Sequence, residues 1–440
     1  MTDIRAFRRL AVLVFLAAVV GGCSAINAVN PFHRKEEIMP GERVAALPQG
    51  LTEIAGGTPS IDAAAPMADW SQPGGNAANA PGNVSMASVT GGSGWRVRAV
   101  DKASKRNVRP SVPPIVHGGV IYVYDTDGHV NALRPGGGRS WSVSLAPEGE
   151  KSHAGGGGLA ASGSAVFVAT GFGELAALDA ATGTKIWSKE LGAPARSAPT
   201  AAGGIVFVVS ATNVLYAVNQ ADGSEAWQYP GIPETAGVLS AASPAVSGST
   251  VVVPYSSGEV IAFDAGSGDL KWADAVVRST RTLAVSGLTD VAASPVIYDG
   301  VVYATGVSGR TIAVGLSDGE RIWEQNIGSA STPAVSGNAL FLVDLADNLI
   351  AVDRRTGTAF WRTALPVVRK KRFFSVWAGP TLAGGLLWAV SNDRKLVAVD
   401  PATGAIVVDK QMQSPAYIKP TVAGGQLLVL SADGTLTAYN

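Results

Sequence analysis

The sequence predicts an all-β fold, an eight-bladed β-propeller of four-stranded antiparallel blades, and two observations carry this prediction. The first is a repeat in which an alternating apolar strand, a Gly-containing turn and a Trp-bearing strand follow one another, as in ALDAATGTKIW at 177–187. The second is the spacing of the marker residue, which recurs every 38 to 51 residues, the length of one blade. The markers are Trp95, Trp141, Trp187, Trp227, Trp272, Trp323, Trp361 and Val408.

The number of repeats predicts how the ring closes. A small-residue segment and a β-rich hairpin precede each marker after the first, as in STPAVSGNALFLVDLADNLIAV at 331–352, which gives strands A, B, C and D in every blade. Eight A–B–C portions occur, and the eighth ends at Asn440 without a D strand. We expect the strand around Trp95 to complete that blade, because a closed ring removes the open sheet edges. The Trp residues are expected to dock between neighbouring blades.

The N-terminus has the pattern of an export signal. Three Arg residues precede an apolar run at 10–20 that is too short to span a bilayer. The sequence Val20-Gly21-Gly22-Cys23-Ser24 resembles a bacterial lipobox, which predicts a signal peptide at 1–22 and lipidation of Cys23. Several acyl chains on one residue would give stable anchoring. The alternative is an ordinary cleaved signal followed by a chance Cys.

The segment between the lipobox and the first marker has the composition of a linker. Residues 23–94 are rich in Ala, Gly, Pro, Asn and Ser and show no sustained apolar period. We therefore predict a flexible tether over 23–94, with Trp70 as a candidate docking residue, and a propeller over 95–440.

Composition and motifs exclude several classes of function. Lys plus Arg equals Asp plus Glu at 34 each, which leaves no basic excess for nucleic acid. The single Cys allows neither an intramolecular disulfide nor a Cys-based metal site, and the four His residues are scattered. No G-x-S-x-G, H-E-x-x-H or Walker motif occurs in the chain. We therefore predict no catalytic residues and no metal.

The repeat also requires an enzyme to be considered. ALDAATGTKIW resembles the tryptophan-docking repeat of quinoprotein dehydrogenases, which implies pyrroloquinoline quinone bound over a calcium ion, usually beside a disulfide of adjacent Cys residues. This chain has no adjacent Cys pair and lacks the large inserted loops of those enzymes. No cofactor is therefore expected, and a quinone-dependent dehydrogenase or quinone-binding periplasmic protein is the alternative.

A lipobox, a tether and an eight-bladed propeller without disulfides together resemble the BamB family of lipoproteins. This resemblance implies a non-catalytic scaffold that is anchored by lipid to the periplasmic face of the outer membrane. It also implies that the scaffold aids the insertion of β-barrel proteins within the β-barrel assembly (BAM) complex. The implied partners are the barrel-forming outer-membrane subunit, the other BAM lipoproteins, and unfolded outer-membrane proteins that add a strand to a blade edge.

One stretch of the sequence resembles the family's partner contact. Leu288-Thr289-Asp290-Val291 is similar to a Leu-Ser/Thr-Asp-Val stretch that opens the fifth blade in BamB proteins, and Asp290 matches its acidic residue. The chain has Ala292 where the family places a second acid. In the companion loop before the fourth blade it has Val238 at an apolar position and Leu239 in place of an Arg. The resemblance therefore implies an apolar contact more than an ionic one.

Strand alternation points to the same surface. In an antiparallel meander the D-to-A and B-to-C connections lie on one face, so the loops 228–240 and 274–290 share that face. Apolar side chains at loop tips mark a protein-binding surface unless they fold back against their own blades, and both readings remain open. The candidate partner-binding residues are Ile232, Val238, Leu239, Leu283, Leu288 and Asp290. The basic run Arg369 to Arg372, followed by Phe373 and Phe374, faces lipid headgroups or a partner, or is a solvated loop.

Overall fold

The computed structural model describes residues 54–87, 92–100, 112–150, 152–234, 242–276, 290–368 and 375–439. These residues form thirty-two β-strands in eight sheets of four antiparallel strands each. No helix in this part of the chain is long and apolar enough to cross a bilayer. The predicted fold class, an all-β propeller of eight four-stranded blades, is confirmed.

The strands follow one another blade by blade, and only β1 pairs out of chain order. The first half contains β1 (Ser93–Arg98); β2 (Ile115–His117), β3 (Val120–Tyr124), β4 (His129–Leu133) and β5 (Arg139–Ser144) of blade 1; β6 (Gly157–Ser162), β7 (Ala165–Thr170), β8 (Glu174–Asp179) and β9 (Lys185–Glu190) of blade 2; β10 (Thr200–Ala202), β11 (Ile205–Val209), β12 (Val214–Asn219) and β13 (Glu225–Pro230) of blade 3; and β14 (Ala245–Ser247), β15 (Thr250–Pro254), β16 (Glu259–Asp264) and β17 (Leu270–Ala275) of blade 4. The second half contains β18 (Val296–Tyr298), β19 (Val301–Thr305), β20 (Thr311–Gly315) and β21 (Arg321–Gln325) of blade 5; β22 (Ala334–Ser336), β23 (Ala339–Val343), β24 (Asn348–Asp353) and β25 (Ala359–Ala364) of blade 6; β26 (Trp377–Ala383), β27 (Leu386–Ser391), β28 (Lys395–Val399) and β29 (Ile406–Gln411) of blade 7; and β30 (Thr421–Ala423), β31 (Gln426–Leu430) and β32 (Thr435–Tyr439) of blade 8.

The ring closes between the two ends of the propeller. Strand β1 pairs antiparallel with β32, and Trp95 lies opposite Ala438 while Val97 lies opposite Leu436. The N-terminal strand thus supplies the D strand of blade 8, as the sequence predicts. This pairing covers an edge that would otherwise expose unpaired N–H and C=O groups.

The marker Trp residues of blades 1 to 6 join neighbouring blades, as the docking prediction expects, whereas the indole Nε1 of Trp95 donates to the Oε1 of Gln426 within its own blade at 3.0 Å. The indole Nε1 of Trp141 donates a hydrogen bond to the carbonyl oxygen of Ala180 in the next blade, at 3.0 Å. Gly183 packs against the same indole at a φ of +75°, and a Cβ there would come within 2.6 Å of the Trp141 ring. Only Gly combines this backbone conformation with so close an approach. The same indole-to-carbonyl bond recurs for Trp187, Trp227, Trp272, Trp323 and Trp361.

Residues 54–87 correct the prediction of a flexible tether over 23–94. This segment, which we call the strap, lies against the propeller and makes hydrogen bonds to all eight blades. The bonds lie at the end of each innermost A strand, next to the turn into strand B. The blade residues whose backbone takes part are, from blade 1 to blade 8, Val116, Ala161, Ala201, Val246, Ile297, Gly337, Gly384 and Gly425.

Two buried apolar side chains fix the strap. Trp70 is 1% exposed, its backbone exchanges two hydrogen bonds with Val116, and its indole donates to the carbonyl oxygen of Pro73. Val84 is also 1% exposed and accepts a hydrogen bond from the N–H of Gly384. Both belong to the apolar cluster that contains strands of blades 1, 7 and 8. The strap is therefore a part of the folded propeller that covers one end of its central channel.

Candidate partner-binding face and central channel

The D-to-A connections lie at the end of the propeller that the strap leaves uncovered. Ile232, which follows strand β13, is 54% exposed. Its carbonyl oxygen accepts a hydrogen bond of 2.6 Å from the Nδ2 of the buried Asn213, and the N–H of Gly231 donates to the carbonyl oxygen of Asn213 at 2.8 Å. The backbone is thus held in place while the apolar side chain points to solvent. Ile232 is therefore exposed at this end of the propeller, and its role in partner binding stays a prediction.

Asp290 lies in the interior of the propeller, whereas a residue that contacts a partner at the rim is expected to be exposed. Its carboxylate is fully buried and forms an ion pair with the guanidinium of Arg196. Arg196 also donates to the carbonyl oxygens of Pro254, at 3.0 Å, and Val291, at 3.3 Å. Burial lowers the pKa of the Arg196 guanidinium, and the charge of Asp290 opposes that shift. The pair joins blades 3, 4 and 5.

The other predicted functional residues lie outside the described residues. They are Cys23, Val238, Leu239, Leu283 and Leu288, together with the basic loop 369–374. Their predicted roles in lipidation and partner binding stay predictions. Of the six candidate partner-binding residues, the structure thus places Ile232 at the surface and Asp290 in the interior.

A cavity of about 140 Å³ occupies the central channel between the strap and the D-to-A face. Pro73 and Gly74 of the strap form one end of it, and every blade contributes to its wall just before or within the A strand. The wall residues include Pro113, Gly157, Ala198, Ser243, Ser294, Thr332, Ala378 and Lys419. Most of these side chains are small, because eight chain segments converge on the axis.

Lys419 is the charged residue in the described wall of this cavity. Burial lowers the pKa of its ammonium from the ordinary 10.5 to about 8. No hydrogen-bond or ion-pair partner for this ammonium occurs among the described residues. The repeat offered a signal for it, because Lys419 stands before a Pro at a position where Ala198, Ser243 and Ser294 stand in other blades. Lys419 was not among the functional residues predicted from the sequence.

Acidic and imidazole groups meet at the B-to-C turn of blade 1. Ligand atoms of Asp125, Asp127 and His129 lie within 4.8 Å of one another. Asp125 is buried and accepts the N–H groups of Asp127 and His129 at 3.0 and 2.9 Å, and His153 forms a hydrogen bond with Asp127. Burial raises the pKa of the Asp125 carboxyl, while the N–H bonds oppose this. These contacts are those of an Asp that sets turn geometry, as the sequence predicts.

Comparison with known proteins places these features in a family. The family model of the outer membrane protein assembly factor BamB matches residues 126–363 and 346–440. The BamB of Salmonella typhimurium is 30% identical over 334 residues, which are 74% of this chain and 83% of the relative. The BamB of Escherichia coli K12 is 29% identical over 336 residues, which are 75% of this chain and 84% of the relative.

Solved structures share the fold. The crystal structure of BamB from Moraxella catarrhalis matches with a TM-score of 0.65 and 21% identity, over 77% of this chain and 99% of that one. A quinohemoprotein alcohol dehydrogenase from Comamonas testosteroni matches with a TM-score of 0.65 and 14% identity, over 86% and 81%. At these identities the likenesses show the propeller fold alone. The family model and the sequence relatives decide between the two groups, and this chain belongs to the family of the outer membrane protein assembly factor BamB.

Proposed function

We propose that this chain is a scaffold lipoprotein that assists the assembly of β-barrel proteins into the outer membrane. The observation that carries the proposal is the match of the BamB family model to residues 126–363 and 346–440, which include most of the propeller. Members of this family are named assembly factors, and the prediction that the chain is not an enzyme agrees with that. In this proposal Cys23 holds the lipid anchor at the periplasmic face of the outer membrane.

The surface proposed for the barrel-forming subunit is the D-to-A face around Ile232. An exposed apolar side chain whose backbone is already fixed loses little conformational freedom on binding, so its burial contributes more fully to affinity. The hydrogen bonds between Asn213 and the 231–232 backbone provide that fixation. A few buried apolar residues at the centre of an interface carry most of its binding energy. We include Val238, Leu239, Leu283 and Leu288 in the same surface.

Asp290 has a positioning role in this proposal. The buried pair with Arg196 holds the end of the loop 274–290 against blades 3 and 4. A carboxylate that is already paired in the interior contributes to the contact through the backbone that it fixes. Loss of this residue would therefore weaken partner binding and lower the stability of the propeller together.

Co-purification with the barrel-forming subunit tests the proposed surface. Ile232→Ser should weaken binding, and Leu239→Ala combined with Leu288→Ala should weaken it about tenfold or more, because each hot-spot truncation costs roughly 1–2 kcal/mol. Ile186→Ser is the matched control, since Ile186 is 52% exposed on the outer strand β9. All variants should keep the melting temperature of the parent. Equal binding by the Ile232 and Ile186 variants would place the interface elsewhere.

A further inference from the structure

The central cavity has a composition suited to a negatively charged ligand. Lys419 supplies an ammonium, and the wall residues Ser243, Ser294, Ser331 and Thr332 supply hydroxyl groups. No Asp or Glu belongs to the described wall. An unpaired charge in a partly desolvated site is unfavourable, and an opposite charge brought to it would relieve that cost.

Existing hydrogen bonds leave hydroxyl donors available in the wall. The N–H of Ser243 donates to the Oγ of Ser294 at 2.9 Å, and the N–H of Ser294 donates to the Oγ1 of Thr332 at 3.1 Å. Both hydroxyl oxygens therefore act as acceptors, in hydrogen bonds that link blade 4 to blade 5 and blade 5 to blade 6. Their own O–H groups find no acceptor among the described residues. A ligand oxygen could accept from them, and hydroxyl donors together with an ammonium recognise oxyanions.

The geometry of the channel gives the cavity one closed end. Pro73 and Gly74 lie on the strap side, where Trp70 and Gln72 hold the turn by hydrogen bonds to blades 1 and 3. The volume of about 140 Å³ exceeds the roughly 30 Å³ of one water and is close to that of a cavity that admits a six-membered ring. The site can therefore hold a small organic or inorganic oxyanion.

We propose that the strap-closed central cavity binds a small oxyanion, of the carboxylate or phosphate class, through the ammonium of Lys419 and the hydroxyl groups of Ser294 and Thr332. This site is separate from the loop surface proposed for the protein partner. It uses residues from blades 5, 6 and 8, so an occupied site also ties together segments that are far apart in the sequence.

Isothermal titration calorimetry of the full chain in detergent tests this site. Succinate and inorganic phosphate are titrated separately, at constant ionic strength. We expect saturable binding of one of the two at pH 7, and its identity gives the ligand class. Lys419→Met should weaken that binding tenfold or more, and Lys419→Arg should retain it. Lys395→Met is the matched control, because Lys395 pairs with Asp409 on the surface. Absence of binding by both probes, or equal binding by the Lys419→Met variant, would overturn the proposal.

The pH dependence provides a second readout. Because burial lowers the pKa of Lys419 to about 8, the site loses its charge above that pH, and affinity should fall about tenfold per pH unit. Without ligand, the charged ammonium of Lys419 lowers the stability of the folded state, and its deprotonation removes this cost. The unfolded state holds the proton up to about 10.5, so the folded state gains stability as pH rises from 8 to 10.5. Lys419→Met should therefore melt higher than the parent at pH 7 and lack this gain. A variant that melts lower at pH 7 would contradict an unpaired ammonium.

Discussion

The buried pair of Arg196 and Asp290 is the residue-scale feature on which the D-to-A face depends. Its two members lie 94 residues apart in the sequence and come from blades 3 and 5. The pair is enclosed by backbone carbonyls of Pro254 and Val291. Removal of Asp290 would leave the guanidinium of Arg196 buried without its carboxylate partner, which is far more costly than the loss of an exposed pair.

Substitution of Asp290 should therefore lower stability. Asp290→Asn is expected to cost about 3–5 kcal/mol in the free energy of unfolding, measured by urea denaturation. Asp409→Asn is the control, since its partner Lys395 is on the surface and exposed pairs contribute about 0–1 kcal/mol. Replacement of both Asp290 and Arg196 by Leu and Met should recover part of the loss. Equal, small effects of the Asp290 and Asp409 variants would contradict the buried pair.

Sequence reasoning located Asp290 at the start of blade 5 but not in the interior. An Asp before an A strand can point outward or inward, and the choice depends on whether a cation lies beneath it. That cation, Arg196, belongs to a blade two positions away, so no local pattern connects the two residues. Ile232 was easier to predict, because an apolar residue just beyond a D strand has few neighbours to cover it.

At the scale of single elements, the strap is the main difference between expectation and structure. Its residues bond one after another to different blades, so the two-residue alternation of a strand never develops. Its hydrogen bonds use the backbone and the side chains of Asn, Gln and Asp residues, which are polar residue types that also occur in linkers. For example, the Nδ2 of Asn79 donates to the carbonyl oxygen of Pro295 at 2.9 Å. Trp70 was the apolar residue of this segment that the sequence analysis named as a candidate docking residue, and it is one of the two buried side chains that fix the strap.

The strap should contribute measurably to stability. Trp70→Ala removes a fully buried aromatic side chain, and such truncations cost about 3–5 kcal/mol. Ile54→Ala serves as the control within the same segment, because Ile54 is 53% exposed and surface changes are within about 0.5 kcal/mol. Urea denaturation of both variants in the full chain provides the comparison. Similar midpoints for the two variants would mean that the strap does not belong to the folded unit.

The propeller blades could be predicted from local patterns in the sequence. Alternating apolar strands, Gly turns and a marker residue at blade-length intervals, which is Trp in all blades but one and Val408 in blade 7, predicted every blade of the ring, including the closing strand around Trp95. These patterns work because each blade repeats the same contacts to its neighbours, such as the bond from Trp141 to Ala180. The residues of the central channel could not be predicted from these patterns, because Lys419 and the strap are not part of the blade repeat.

At the scale of the whole molecule, the ring has two unlike ends. One end is covered by the strap, which forms hydrogen bonds to the A strand or the A-to-B turn of every blade. The other end carries the D-to-A connections and the exposed side chain of Ile232. The pairing of β1 with β32 closes the ring of eight blades. In the proposed function the partner binds the end that the strap leaves uncovered.

Site-specific photo-crosslinking in cells tests whether the partner binds at the D-to-A end. A photoreactive benzoylphenylalanine that replaces Ile232 should crosslink to the barrel-forming subunit of the assembly machinery. The same group in place of Ile54, on the strap-covered end, or of Ile186, on an outer strand, should not, although all three residues are similarly exposed. Crosslinks to that subunit from Ile54 or Ile186, with none from Ile232, would contradict the assignment of the uncovered end as the partner-binding surface.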